Sequence, residues 1–162
     1  MSQDNQAAFD ILRIYTKNVS LESPNTPEVF KANVQPEIQI QLGNDNREIE
    51  AGIFEVTLRV TVTAKFELAQ EESEEKESKV MFLAEVEQAG LFHIEGFDDA
   101  QADHLRGAFC PNILYPYIRP VLDNLISGAG FPPVILSPIN FEAVYAERMA
   151  QVGESKNEEV DA

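Results

Sequence analysis

The chain reads as an α+β protein: a four-stranded antiparallel sheet of Greek-key type, then two main helices. Three observations carry that reading. From Ile53 to Leu68 the sequence alternates without a break. Phe54, Val56, Leu58, Val60, Val62, Ala64, Phe66 and Leu68 fall on one side, and Glu55, Thr57, Arg59, Thr61, Thr63, Lys65 and Glu67 on the other. A period of two over that length is a long strand with one buried and one wet face. Beyond Gly96 the period becomes helical, and Ile113, Leu114, Tyr117, Ile118, Val121, Leu122 and Leu125 make a broad apolar stripe. The apolar segments before Gly96 are separated mostly by short breaks, which favours antiparallel pairing. The long, proline-broken link after the first of them asks for a crossover.

The first strand is Phe9–Glu22, apolar on both faces near Ile11, Leu12 and Ile14. Such a strand is covered on both sides, in part by a second subunit. Ser23-Pro24-Asn25-Thr26-Pro27 ends it, because proline cannot donate to a ladder. The loop that follows carries Val29, Phe30 and Val34 as far as Gln35. After Pro36 comes a short alternating strand with Ile38, Ile40 and Leu42 on one face, and Gly43-Asn44-Asp45-Asn46 is a turn signal. Past the long third strand, the charge run Glu71–Glu77 is a solvated hairpin loop. A fourth strand spans Lys79–Ile94, with Val80, Phe82, Ala84 and Val86 on one face and Met81, Leu83, Glu85 and Glu87 on the other, wet one.

Asp98 with Gln101 three residues on resembles a capping box and opens a short helix to Ala108. Pro111 suits the first turn of the main helix, whose start Pro116 and Pro120 bend; Gly128 and Gly130 end it. Residues 131–138 are an apolar connector stiffened by prolines. Asn140 caps a last helix with Phe141, Val144, Tyr145 and Met149 on one stripe. The expected organisation is a frayed tail over 1–8, one domain over 9–150 and a disordered acidic tail over 151–162.

Composition narrows the function classes. Among 162 residues, 28 are acidic and 12 basic, a formal charge of −16. That field repels phosphate backbones and anionic bilayers, so the expectation is no nucleic acid and no membrane insertion. The N-terminus lacks the basic and apolar regions of a secretory signal, and no window approaches the ~18 apolar residues of a membrane span. With a single cysteine there is no disulfide framework, and a cytoplasmic protein is expected. Catalytic chemistry is thinly represented. His93, His104 and Cys110 stand apart, no Cys/His spacing suits zinc, and Gly128-Ala129-Gly130 follows a helix, the wrong polarity for a phosphate loop. The chain reads as no enzyme, with no cofactor and no metal of its own.

What remains is apolar surface where loops are normally polar. Val29, Phe30 and Val34 in the crossover loop, and Phe131, Val134, Ile135 and Leu136 in the connector, sit between prolines that can hold a groove open. Ile14-Tyr15-Thr16-Lys17, then Pro24-Asn25 with Pro27, resemble the first strand and crossover loop of the SecB protein-export chaperones. So do Glu55-Val56 with Leu58–Thr63, Asn140-Phe141, and above all Cys110-Pro111-Asn112-Ile113-Leu114-Tyr115-Pro116-Tyr117, all in one order over residues 9–150.

The resemblance implies helices on one face of the sheet and a homotetramer, a dimer of dimers joined through the long helices by Ile113, Leu114, Tyr117, Val121 and Leu125. It implies an ATP-independent holdase that keeps unfolded precursor proteins translocation-competent and delivers them to the SecA motor. Clients would lie in a groove of Val29, Phe30, Val34, Phe131, Val134, Ile135, Leu136 and Tyr145. The zinc-bearing C-terminal tail of SecA would dock on the outer sheet face at Asn18, Glu22, Leu83 and Glu85, the zinc belonging to that partner. Two departures from the family pattern are Asn18, where members carry Asp, and Val34, where an aromatic is familiar. Two rival readings use the same residues: a SecB-like chaperone for another client, such as an antitoxin, and a scaffold whose apolar loops are all internal.

Overall fold

The computed structural model describes residues 6–69 and 76–160. Strands β1 (Ala8–Glu22), β2 (Glu37–Glu50), β3 (Ile53–Ala69) and β4 (Lys76–Glu95) form one antiparallel sheet in the order β1-β4-β3-β2. Three hairpin-linked strands with β1 returned beside β4 make a Greek key, and residues 23–36 cross from one edge to the other. Within that crossover Glu28–Lys31 form a short 3-10 turn. The helices follow as α1 (Asp99–His104), a π-helical turn (Leu105–Phe109), α2 (Cys110–Gly128) and α3 (Phe141–Val160).

The core lies between the sheet and α2. Val56, Leu58, Val60, Val62, Ala64 and Phe66 of β3 and Phe82, Ala84, Val86 and Phe92 of β4 are buried, as the alternation of β3 predicts. Against them α2 sets Leu114, Ile118, Leu122 and Ile126, one residue per turn, all essentially inaccessible. Gly90 on β4 is the contact that lets the helix come close: a Cβ there would fall 2.6 Å from the Phe92 ring and 3.2 Å from Leu114.

Several sequence expectations need correction. Gly43–Asn46 is not a turn; β2 runs through it, paired residue by residue from Gly43–Arg59 to Asn46–Val56. Tertiary contacts override the turn propensity there, since Asn44 Nδ2 donates to the Gly107 carbonyl at 3.2 Å and Asn44 Oδ1 accepts from Arg148 Nη1 at 2.8 Å. The reversal comes at Ala51-Gly52, where Gly52 takes φ +80°, a conformation suited to glycine. The helical region is continuous from Asp99 rather than two helices. The amide of Cys110 reaches back five residues to the Leu105 carbonyl, and this wider turn carries the chain into Pro111, which has no N–H to give. Asp98 does cap the start, accepting from the Gln101 amide at 2.8 Å.

The fourth strand begins at Lys76, so the end of the acidic run is strand; Glu71–Glu75 lie outside the described residues. Val80 faces outward, paired with Lys65, because β4 carries a bulge at Met81. Finally, α3 continues past Gly153 to Val160 where a disordered tail from residue 151 was expected. Its Glu, Lys and Gln residues are good helix formers, and no proline follows Pro138.

Candidate functional site

An apolar cavity of about 730 Å³ opens between the crossover loop, the α2–α3 connector and the edge strand β2. Each wall has a local cause. On one side, the Val29 amide donates to the Asn25 carbonyl at 2.9 Å and the Phe30 amide to the Pro27 carbonyl at 3.1 Å. This turn buries Val29 as an anchor and leaves Phe30 projecting, 53% exposed.

On the other side, α2 ends in a Schellman motif. The Phe131 amide donates to the Ile126 carbonyl and the Gly130 amide to the Ser127 carbonyl, with Gly130 at φ +92°. A Cβ on Gly130 would sit 3.3 Å from the Phe30 ring, so glycine also makes room for the opposite wall. The connector is then pinned to α2 by the Tyr115 hydroxyl, which donates to the Ser137 carbonyl at 2.7 Å, and by Arg119 Nη2, which donates to the Leu136 carbonyl at 2.9 Å. Pro132 and Pro133 stiffen the stretch between.

The floor is aromatic. Phe131 lies 5.3 Å from Phe30 and 5.1 Å from Phe82, centroid to centroid, in tilted contacts that favour one arrangement of the three rings. Ile38 and Ile40 of β2 extend the apolar lining to a sheet edge. Among the described residues that edge is unpaired, since β2 has a neighbour on the β3 side alone.

Six of the eight groove residues named from the sequence line this cavity: Val29, Phe30, Val34, Phe131, Val134 and Ile135. Ile135 is 87% exposed and Phe131 almost wholly buried, so they contribute differently. Leu136 is elsewhere, buried in the core behind the connector. Tyr145 is also elsewhere: its ring lies against Gly107, its hydroxyl donates to Asp103, and it stacks edge-on with His104 at 5.3 Å. Tyr145 fastens α3 to the π-helical turn beside a smaller cleft shared with Leu42, Asn44 and Arg148. The sequence reading missed Ile38, Ile40, Met81 and Phe82. The alternation of Ile38 and Ile40 was visible, but nothing in it says that the strand lies at an edge.

The outer face of the sheet carries the second candidate surface. Cross-strand pairing places Asn18 beside Glu87, Ser20 beside Glu85 and Glu22 beside Leu83, on every second rung and so on one face. Asn18, Glu22, Leu83 and Glu85 are therefore together, with Ser20 between Asn18 and Glu22 and Glu87 at the Asn18 end. Glu87 supplies a carboxylate on the same rung as Asn18. Glu85 accepts from the Thr61 hydroxyl at 3.1 Å.

Beside this patch, Glu55 is a buried carboxylate on the outer face. It accepts from the Tyr15 hydroxyl, from Lys17 Nζ at 2.9 Å and from Arg47 Nε at 3.1 Å. The Tyr15 bond, seconded by the two cations, outweighs burial and holds the Glu55 carboxyl down at about 2, while burial and the Glu55 bond push the Tyr15 phenol up to about 12.

The residues that could have served catalysis have other partners. Cys110 is buried and its thiol is pushed up to about 12 by burial, the environment of a core residue rather than a nucleophile. His93 lies between Asp10 at 3.3 Å and Glu95 at 3.0 Å, and hydrogen bonds to both raise its pKa. His104 pairs with Glu142.

The helix residues expected at a subunit interface divide in two. Leu114 is buried against its own sheet and has no surface for a partner. Ile113, Tyr117, Val121 and Leu125 form a second stripe beside the buried one, partly exposed, with Tyr117 at 48%. On β1, Ile11, Leu12 and Val19 are likewise exposed.

The model of the family described as preprotein translocase subunit SecB matches residues 2–152. The chain belongs to the SecB family. Among relatives, the protein-export protein SecB of Chromobacterium violaceum is 47% identical over 155 residues, covering 96% of this chain and 97% of that one. The protein-export protein SecB of Hydrogenovibrio crunogenus is 42% identical, covering 96% and 98%. Among solved structures, the Mycobacterium tuberculosis SecB-like chaperone Rv1957, in complex with a peptide from the antitoxin HigA1, shares the fold. Its TM-score is 0.59 at 16% identity, over 81% of this chain and 90% of that one. No described helix of this SecB-family chain is long and apolar enough to cross a membrane.

Proposed function

We propose that this protein is an ATP-independent holdase of protein export. It holds unfolded precursor proteins in the groove between crossover loop and connector, and hands them to SecA in the cytoplasm. The observation that carries this reading is the groove itself, an aromatic cavity held between two pinned loops that opens onto the free edge of β2. An extended chain can set apolar side chains on the rings while its backbone meets the unpaired strand. Selectivity is then for unfoldedness, because a native client offers neither free backbone nor exposed aromatics.

The helix stripe Ile113, Tyr117, Val121 and Leu125, together with the exposed apolar residues of β1, supports a homotetramer built as a dimer of dimers. Several grooves on one particle bind a long client by avidity without sequence preference. The outer-face patch of Asn18, Glu22, Leu83 and Glu85, joined by Glu87, suits the basic, zinc-bearing tail of SecA. The zinc is the partner's, and the holdase itself needs no cofactor.

Diluting a denatured secretory precursor into buffer containing this protein, without nucleotide, tests the reading. Refolding and aggregation should stop near one tetramer per client. Phe30→Ala with Ile135→Ser should weaken that arrest in a protein that is still tetrameric. No arrest at any ratio would leave the apolar loops as a lid and favour a scaffold. Docking is tested apart from holding. Glu85→Lys should sharply weaken binding of the SecA tail, measured by titration at low salt, and leave arrest unchanged. Unaltered tail binding would remove the outer face as the dock.

A further inference from the structure

β4 breaks its alternation at one point inside the groove. Ala64 pairs with Phe82 and Lys65 with Val80, leaving Met81 without a partner on β3. In a regular strand Met81 would join Leu83 and Glu85 on the outer face. The bulge instead lets two consecutive residues, Met81 and Phe82, both be buried and both line the cavity. It occurs where β4 has lost its other neighbour: the last β1 pair is Glu22 with Leu83, and beyond it Asn25 Nδ2 donates to the Val80 carbonyl at 2.8 Å.

Chemically, Met81 differs from everything around it. The rest of the lining is valine, isoleucine, proline, phenylalanine, alanine and glycine. The β-branched residues are stiff at χ1, the prolines are fixed, and Phe82 and Phe131 are held ring against ring. An unbranched thioether has three rotatable bonds and makes favourable contacts with aromatic rings. A groove that takes many unfolded sequences needs one wall that can change shape, and the bulge delivers that wall.

Building on the groove reading above, we infer that Met81 is the client-contacting, adaptable wall of the groove. Its thioether re-packs around the inserted side chain and sets how wide a range of aromatic residues the site accepts. The probes are two unstructured peptides of one sequence, with either phenylalanine or valine at a central position. Both are titrated into the full-length protein labelled with 13C at the methionine methyls. The Met81 signal is assigned by its loss in Met81→Ile.

The phenylalanine peptide should move the Met81 methyl upfield by ring current and leave that of exposed Met149 in place. Met81→Ile keeps the volume but removes the flexibility. It should lower affinity for the phenylalanine peptide by up to about tenfold and change that for the valine peptide by less than about twofold. If the peptides bind and the Met81 methyl does not move, or if Met81→Ile weakens both equally, Met81 is packing alone and the inference is wrong while the groove reading stands. If neither peptide binds the unmodified protein, both are overturned.

Discussion

Glu55→Ala should destabilise the fold by about 1–3 kcal/mol, the cost of leaving the half-buried Tyr15 hydroxyl without its acceptor and of losing the pairing to Lys17 and Arg47, which stay in contact with solvent. The effect has a structural target beyond stability. β1 carries a bulge at Lys17, between the pairs Thr16–Gln88 and Asn18–Glu87. That extra residue changes the parity of the strand. Tyr15 faces outward, so a regular strand would turn Asn18, Ser20 and Glu22 toward the helix; the bulge turns them outward instead. Lys17 is held by Glu55, and Tyr15 on the other side of the bulge by the same carboxylate. Losing Glu55 should therefore disorder the outer-face patch as well as lower the melting point.

The pH dependence follows with a definite sign. Glu55 has an ordinary value of 4.5 and sits at about 2 when folded. The contribution is complete above pH 4.5 and is lost as pH falls from there toward 2, because only the unfolded chain takes up the proton at first. Chemical denaturation at pH 7 and pH 3 should show wild type losing more stability on acidification than Glu55→Gln. Equal losses would mean that Glu55 titrates normally.

Phe131→Ala should cost about 3–5 kcal/mol, since the ring is buried and touches both Phe30 and Phe82. In a chain of this length that lowers the melting temperature by roughly 10 °C. Ile135→Ser, at the rim of the same groove, should leave the melting temperature within about 2 °C of wild type, because the side chain is already in solvent. Both should weaken client binding. The pair separates a groove that binds from a lid that merely covers: if Ile135→Ser melts normally and still holds clients fully, the rim takes no part in binding.

How much of this was legible in the sequence depends on the period. The faces of β3 and the sheet-facing stripe of α2 follow from alternation and helical repeat, because each packs against one continuous surface. The groove was legible through its loops, where apolar residues between prolines have no local reason to be exposed. Three kinds of feature escaped. Bulges at Lys17 and Met81 shift parity by one, and no local signal marks them; the family resemblance, not alternation, put Asn18 and Glu22 on the outer face. The span Gly43–Asn46 carries turn residues, yet Asn44 is committed to Gly107 and Arg148, which lie far away in sequence. The resemblance put Tyr145 in the groove, but the close approach allowed by Gly107 draws it to the helix junction instead.

Amide hydrogen exchange of the protein alone and with a bound unfolded precursor decides which surface holds the client. New protection is expected along Ile38–Leu42 of the β2 edge and in the connector from Phe131 to Ile135, with the outer-face rungs at Asn18, Ser20 and Glu22 unchanged. Protection on the outer face alone, with the β2 edge exchanging as in the free protein, would contradict the groove reading and place the client on the wrong side of the sheet.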